Sequence, residues 1–165
     1  MAATATSGTA VVTLPGETQI HVTRDFNAPR DLVYRALTEP ELIRRWWNAK
    51  RGDVTECTVD LRVGGKWRYV MVTTDGTEVA FHGTYREVAP NERLVYTEVF
   101  EMPGASDDGA AVNTVTLEEQ DGRTTMTSIT ECHVAEVRDM IIATGMEAGM
   151  QDAYDLLEEV AIGLR

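Results

Sequence analysis

The sequence predicts an α+β domain in which a strongly curved antiparallel sheet grips one long C-terminal helix. Three observations carry that expectation. Between Asp53 and Cys132 the chain alternates apolar and polar residues in short runs separated by turn signals. One strand and two short helices precede this stretch, and residues 135–162 follow it without a proline. Hairpin-linked strands make an antiparallel sheet whose apolar face must be covered, and only the last helix is large enough to cover it.

The first strand is Gln19–Phe26, where Ile20 and Val22 alternate with His21 and Thr23. Asn27-Ala28-Pro29 ends it. Pro29 suits a first helical turn, Asp31 favours the positive end of the dipole, and Leu32, Val33, Ala36 and Leu37 recur at helical spacing. Thr38-Glu39-Pro40-Glu41 has capping-box spacing and opens a second short helix carrying Leu42, Ile43, Trp46 and Trp47. Six strands are then expected at residues 54–61, 66–73, 79–88, 94–101, 112–119 and 124–133, for a sheet of about seven strands in all. Asp75-Gly76 and Asp121-Gly122 are strong hairpin signals, Pro90-Asn91-Glu92 is a fair one, and residues 102–111 read as a mobile hairpin tip. Residues 135–162 read as a single helix with Met146, Met150, Ala153, Leu157 and Ala161 on its inner stripe. Residues 1–16 are expected as a flexible arm and residues 17–165 as one domain.

Composition narrows the function. The 165 residues include 27 acidic and 15 basic ones, a formal net charge of −12. Such a chain has no basic excess to displace counterions from nucleic acid or to meet anionic lipid headgroups. No segment approaches the about 20 apolar residues of a membrane span, so no insertion is expected. The N-terminal stretch lacks Lys, Arg and a long apolar run, which argues against a secretory signal. Cys57 and Cys132 are read as buried thiols in a reducing compartment, and the chain as cytoplasmic.

Strand alternation sorts side chains by face. Trp67, Tyr69 and Met71 share one face, as do Phe81, Gly83 and Tyr85 on the next strand. Leu94, Tyr96, Glu98 and Phe100 follow, then Asn113, Val115 and Leu117, then Met126, Ser128, Thr130 and Cys132. Leu94, Val115, Leu117 and Met126 are core. Glu98 is the informative member, because an unpaired buried carboxylate is expensive. It pairs with another group, meets water and ligand in a cavity, or the register differs. Asn113, Ser128 and Thr130 add polar groups on the same side, and an apolar pocket with a few convergent polar groups is how small-molecule sites are built. Gly145 and Gly149, flanked by Met146 and Met150, either allow close helix packing or thin the helix opposite the aromatic wall of Trp67, Tyr69, Phe81, Tyr85 and Tyr96.

Catalytic signals are sparse. His21, His82 and His133 are dispersed over three strands with no nucleophile motif. Glu131-Cys132-His133 alternates faces and cannot converge on a metal. Val63-Gly64-Gly65 precedes a strand rather than a helix, so no phosphate loop and no cofactor are called for.

Several blocks together carry a resemblance: residues 23–29 (Thr-Arg-Asp-Phe-Asn-Ala-Pro), residues 33–42, Trp46-Trp47, Val63-Gly64-Gly65-Lys66-Trp67, residues 83–88, residues 92–97, residues 114–117 and residues 145–150. In this order, over about residues 17–162, the chain resembles the activator of heat shock protein 90 ATPase homologue family. The resemblance implies the START-like, helix-grip superfamily, also called SRPBCC or Bet v-like, whose members usually hold lipids or other apolar small molecules. In the family the paired tryptophans are commonly followed by Gly-Pro, whereas Trp47 here leads into Asn48-Ala49-Lys50-Arg51-Gly52; the resemblance implies that this loop lies near one cavity mouth. Co-chaperone activity in that family belongs to larger eukaryotic members with an additional N-terminal domain.

The expected function is therefore binding of a small hydrophobic or lipid-like molecule between sheet and helix. The candidate site comprises Trp67, Tyr69, Met71, Phe81, Tyr85, Tyr96, Glu98, Phe100, Asn113, Ser128, Thr130, Met146, Gly149 and Met150. Two alternatives stay open: a cyclase- or dehydrase-type enzyme using the same cavity, with Glu98 in acid–base work, and a chaperone-interacting module using an outer surface. A homodimer stays open as well.

Overall fold

The structure is a computed structural model that describes residues 9–165. Eight strands form one antiparallel sheet: β1 (Val11–Thr13), β2 (Gln19–Phe26), β3 (Gly52–Val59), β4 (Lys66–Thr73), β5 (Glu78–Ala89), β6 (Arg93–Phe100), β7 (Ala111–Gln120) and β8 (Arg123–Glu131). Their order is β1-β2-β8-β7-β6-β5-β4-β3. Everything from β3 to β8 is a meander of neighbours, while β2 crosses to the far side and pairs with β8 from Gln19↔Glu131 to Phe26↔Thr124. Helices α1 (Arg30–Thr38) and α2 (Pro40–Ile43) fill the crossover, and α3 (Ala135–Ala143) and α4 (Met146–Gly163) end the chain. The α+β expectation and the helix against the sheet are borne out.

Turn chemistry fixes the meander. Asp121 (φ 54°) and Gly122 (φ 77°) both adopt the left-handed region, which a two-residue turn matched to strand twist requires. Bulges interrupt the ladder between Val54 and Glu56 in β3 and between Tyr85 and Glu87 in β5. Such irregularities bend the strand and increase local twist, as curvature around a helix demands. The main core joins the sheet (Phe26, Trp67, Val115, Leu117, Met126) to α1 (Val33, Ala36) and α4 (Ala153, Leu157, Val160, Ala161).

Three details depart from the sequence reading. The arm expected over residues 1–16 contributes an edge strand, β1, paired with β2 from Val11↔Thr23 to Thr13↔His21, while residues 1–8 lie outside the described residues. Gln151 anchors this strand: its side chain donates to the Ala10 carbonyl at 2.9 Å and accepts from the Ala10 amide at 3.0 Å. The short helix α2 ends at Ile43, and Trp46 and Trp47 sit on the tight turns that follow. Finally, the terminal helix is two helices, because Gly145 adopts φ 79° and breaks the ladder between α3 and α4. Partly buried Val137, Ile141 and Ile142 of α3 pack on a second, smaller core of Ala10, Ile20, Val22 and Cys132.

Candidate functional site

Between the sheet and α4 lies a cavity of about 170 Å³. Trp67 and Tyr69 of β4, Tyr85 of β5, Leu94, Tyr96 and Glu98 of β6, Val115 of β7, and Met126 and Ser128 of β8 form its sheet side. Leu37, Trp46 and Trp47 close it from α1 and the following turns, and Tyr154 closes it from α4. Alternation explains the sheet side, since residues two apart on each strand face the same way. Neighbouring rings meet as walls rather than stacking: Trp47–Tyr69 at 67°, Trp67–Tyr96 at 88° and Tyr85–Tyr96 at 65°.

Trp67 is held in place by a close approach across β5. Its indole Nε1 donates to the Thr97 carbonyl at 3.2 Å, passing over Gly83. A Cβ at Gly83 would stand 1.7 Å from that carbonyl oxygen and 2.6 Å from the indole nitrogen, so only glycine fits. Trp46, 8% exposed, donates its indole N–H to the Ala36 carbonyl at 2.8 Å and so ties the post-helix turns to α1.

The polar equipment is concentrated at Glu98. Asn113 Nδ2 donates to Glu98 Oε1 at 3.1 Å, and Thr130 Oγ1 donates to Asn113 Oδ1 at 2.5 Å. The chain Thr130–Asn113–Glu98 runs across three adjacent strands toward the cavity and orients the Asn113 amide. Glu98 Oε2 has no hydrogen-bond partner among the described residues. Burial pushes the Glu98 carboxyl above the usual carboxylate range, and the Asn113 hydrogen bond only partly opposes this. Burial likewise raises the phenols: Tyr154 to about 12, and Tyr69 and Tyr96 well above their ordinary value. Beside Tyr154, the buried Arg24 guanidinium lies 4.8 Å over the Phe26 ring, with Nη2 at 3.1 Å from Asp155 and 3.3 Å from Glu158.

The cavity thus brings together Trp67, Tyr69, Tyr85, Tyr96, Glu98 and Ser128 of the expected set. Asn113 and Thr130 stand behind Glu98 rather than on the wall. Phe81 supports Trp47 from outside the lining, with ring centroids 5.8 Å apart. Phe100, placed inward by alternation, is 44% exposed and stacks on Phe81 at the end of its strand. Met71 is half-buried on β4 outside the lining, Met150 packs on the second core, and Met146 and Gly149 lie on α4 away from the cavity. Expecting Gly149 to thin the wall overlooked that Tyr154 is the helix residue that reaches the cavity. Sequence reasoning misses Trp46, Trp47 and Leu37 as lining, because helical periodicity marks their segment only as helix and core. The remaining chemical candidates separate: Cys132 is buried in the second core, while Glu131 accepts from Gln19 Nε2 at 3.0 Å and from the His133 amide at 2.8 Å. Among the described residues no three His, Cys, Asp or Glu side chains gather as a metal site, and no helix is long and apolar enough to cross a membrane.

The comparisons agree with this geometry. Residues 27–161 match the model of the family described as Activator of Hsp90 ATPase homolog 1-like protein. A crystal structure of a Rhodobacter sphaeroides protein is 25% identical, covering 95% of this chain and 100% of its own, with a TM-score of 0.84. A solution structure from Arthrobacter aurescens is 27% identical over 93% of this chain and 91% of its own, with a TM-score of 0.82. In fold alone, an AHSA1-like protein from Aeromonas hydrophila is similar, at 23% identity over 88% of this chain and 95% of its own and a TM-score of 0.65. No curated protein matches the chain in sequence. With the family model spanning α1 to α4 and the sheet wrapped around the terminal helix, the chain belongs to the Activator of Hsp90 ATPase homolog 1-like family.

Proposed function

We propose that this chain binds a small molecule with an apolar surface in the cavity between the sheet and α4. The observation that carries the reading is an aromatic-walled space of about 170 Å³ with one carboxyl, Glu98, and one hydroxyl, Ser128, among its polar lining groups. A cavity of about 150 Å³ lined by apolar side chains takes up benzene, so the volume suits a guest of one ring's bulk. A long lipid chain would need a much larger space. Acid–base turnover would pair Glu98 with a neutral tyrosine as proton donor, and burial makes Tyr96 and Tyr154 weaker acids than a free phenol. The family's name refers to activation of the Hsp90 ATPase. That activity would use an outer surface, and it gives no reason for an aromatic cavity behind the sheet.

Native mass spectrometry of freshly purified protein, with NMR titration of benzyl alcohol, tests the reading. The expected result is a retained guest, or probe-induced shifts centred on the Trp67, Tyr96 and Tyr154 rings and absent at His82. Shifts scattered over the outer surface, with no guest retained, would remove the cavity as a binding site.

A further inference from the structure

We infer that the cavity selects a small organic cation of the methylated-ammonium class, seated in the aromatic box with Glu98 as its counter-charge. The inference rests on the binding reading above and narrows it to one ligand chemistry.

Three features converge on that class. The first is the wall. Trp47, Trp67, Tyr69, Tyr85, Tyr96 and Tyr154 surround the space, and adjacent rings meet at 65–88° in three of the pairs. Rings set as the sides of a box turn their electron-rich faces toward more than one direction of a central guest, which is how proteins hold quaternary ammonium groups. The second is charge. Glu98 lines the cavity, and no Lys, Arg or His does so among the described residues. Arg24, the buried cation beside Tyr154, is already engaged by Asp155 and Glu158. A carboxyl enclosed without a basic partner is costly to ionise, and a guest cation supplies the missing partner. The free Oε2 of Glu98 is the atom available to it, since Asn113 holds Oε1. The third is size: about 170 Å³ suits a trimethylammonium head with a short polar tail.

Ionisation sharpens the inference. The titratable groups facing Glu98 are Tyr96 on its own strand, Tyr154 on α4 and Cys132 after β8, and burial raises all three above their ordinary values. Glu98 has the lowest ordinary pKa of this cluster, and burial raises it, so ionising it enclosed without a basic partner is what a guest cation would offset. A bound cation favours its ionised form, so cation affinity should increase with pH until Glu98 is fully ionised, whereas a neutral guest gains nothing.

Calorimetric titration of the full chain with choline, and with the neutral isostere in which a tert-butyl group replaces trimethylammonium, tests this. The expected result is a preference for choline of about tenfold or more at neutral pH. It should shrink on acidification, and Glu98→Gln should bring the two probes to similar affinity. Equal binding of both probes by the parent, or tighter binding of the isostere, overturns the cation inference and leaves small-molecule binding standing. Binding of neither probe, together with no benzyl alcohol shifts, overturns both. Should Glu98→Gln fail to fold, the parent decides: a choline affinity that is flat from acid to neutral pH overturns the inference.

Discussion

Two glutamates three residues apart stand on opposite faces of the sheet and meet opposite fates. Glu98 faces the cavity with one neutral amide as its partner, and burial drives its carboxyl upward. Glu101, just past the end of β6, faces outward. It takes two hydrogen bonds from Arg68 at 2.9 and 2.8 Å and one from His82 at 2.8 Å, and Arg68 holds its carboxyl down at about 2. The outer cluster continues, with Arg68 reaching Glu56 at 2.9 Å and His82 Nε2 reaching Asp107 at 2.7 Å. With carboxylates on both ring nitrogens, His82 is best served as the imidazolium, and its pKa is raised, chiefly by Asp107. The two faces use the same residue type differently: outside, charges satisfy one another; inside, one acid is left for something else to satisfy.

The largest expected effect tests how rigidly the inner face is built. Gly83→Ala would drive a methyl into the Thr97 carbonyl and the Trp67 indole, at 1.7 and 2.6 Å before relaxation. Because backbone blocks it, β5 and β6 must separate or Trp67 must leave. A loss of about 2–4 kcal/mol in denaturant unfolding is expected, with Trp67 fluorescence shifted. A variant as stable as its parent would show that the inner face has slack, and a rigid aromatic box would then be the wrong description.

The comparison predicts opposite pH slopes for the two glutamates. Glu98 has a raised folded-state pKa, so its contribution is fullest below the unfolded carboxylate value and is lost as pH rises toward the folded one. Glu101 has a lowered pKa, so its contribution is present above the unfolded value of 4.5 and is lost as pH falls toward about 2. Its partial exposure to solvent limits the Glu101 effect to about 1 kcal/mol. Unfolding curves taken from acid to neutral pH should show Glu98→Gln removing a decline and Glu101→Gln removing a rise. Slopes of the same sign would break the contrast between faces.

Much of this arrangement is legible in the sequence, because period-two alternation and turn residues act locally. Trp67, Tyr69, Tyr85 and Tyr96 reach the cavity by alternation alone, and Asp121-Gly122 turns where its chemistry requires. Phe100 shows the limit of that reasoning: alternation assigns a face but not how far along a strand the covering helix reaches. The contributions of Trp47 and Tyr154 were hidden for another reason. Each comes from an element whose placement against the sheet is a tertiary fact, with no local signal beyond an aromatic residue in an amphipathic segment. The edge strand β1 is three residues long, and its docking depends on Gln151, which follows it by well over a hundred positions.

The smallest expected effect asks where the inner region ends along the helix, and two glycines four residues apart answer it. They look alike in sequence, yet the structure separates them. Gly145 occupies the left-handed region at φ 79° and turns the chain from α3 into α4. A side chain there is strained whatever space surrounds it, so Gly145→Ala should cost about 1 kcal/mol. Gly149 lies within α4, and a Cβ built on it meets no heavy atom within 4 Å. Alanine there restricts the unfolded chain and favours the helix, so Gly149→Ala should gain about 0.5–1 kcal/mol. Because Gly149 does not line the cavity, that gain should leave the benzyl alcohol shifts at Trp67 and Tyr96 unchanged. If Gly149→Ala instead weakens those shifts while raising Tm, the added methyl is occupying guest space. The inner region would then extend a full turn beyond Tyr154, toward the N-terminus of α4.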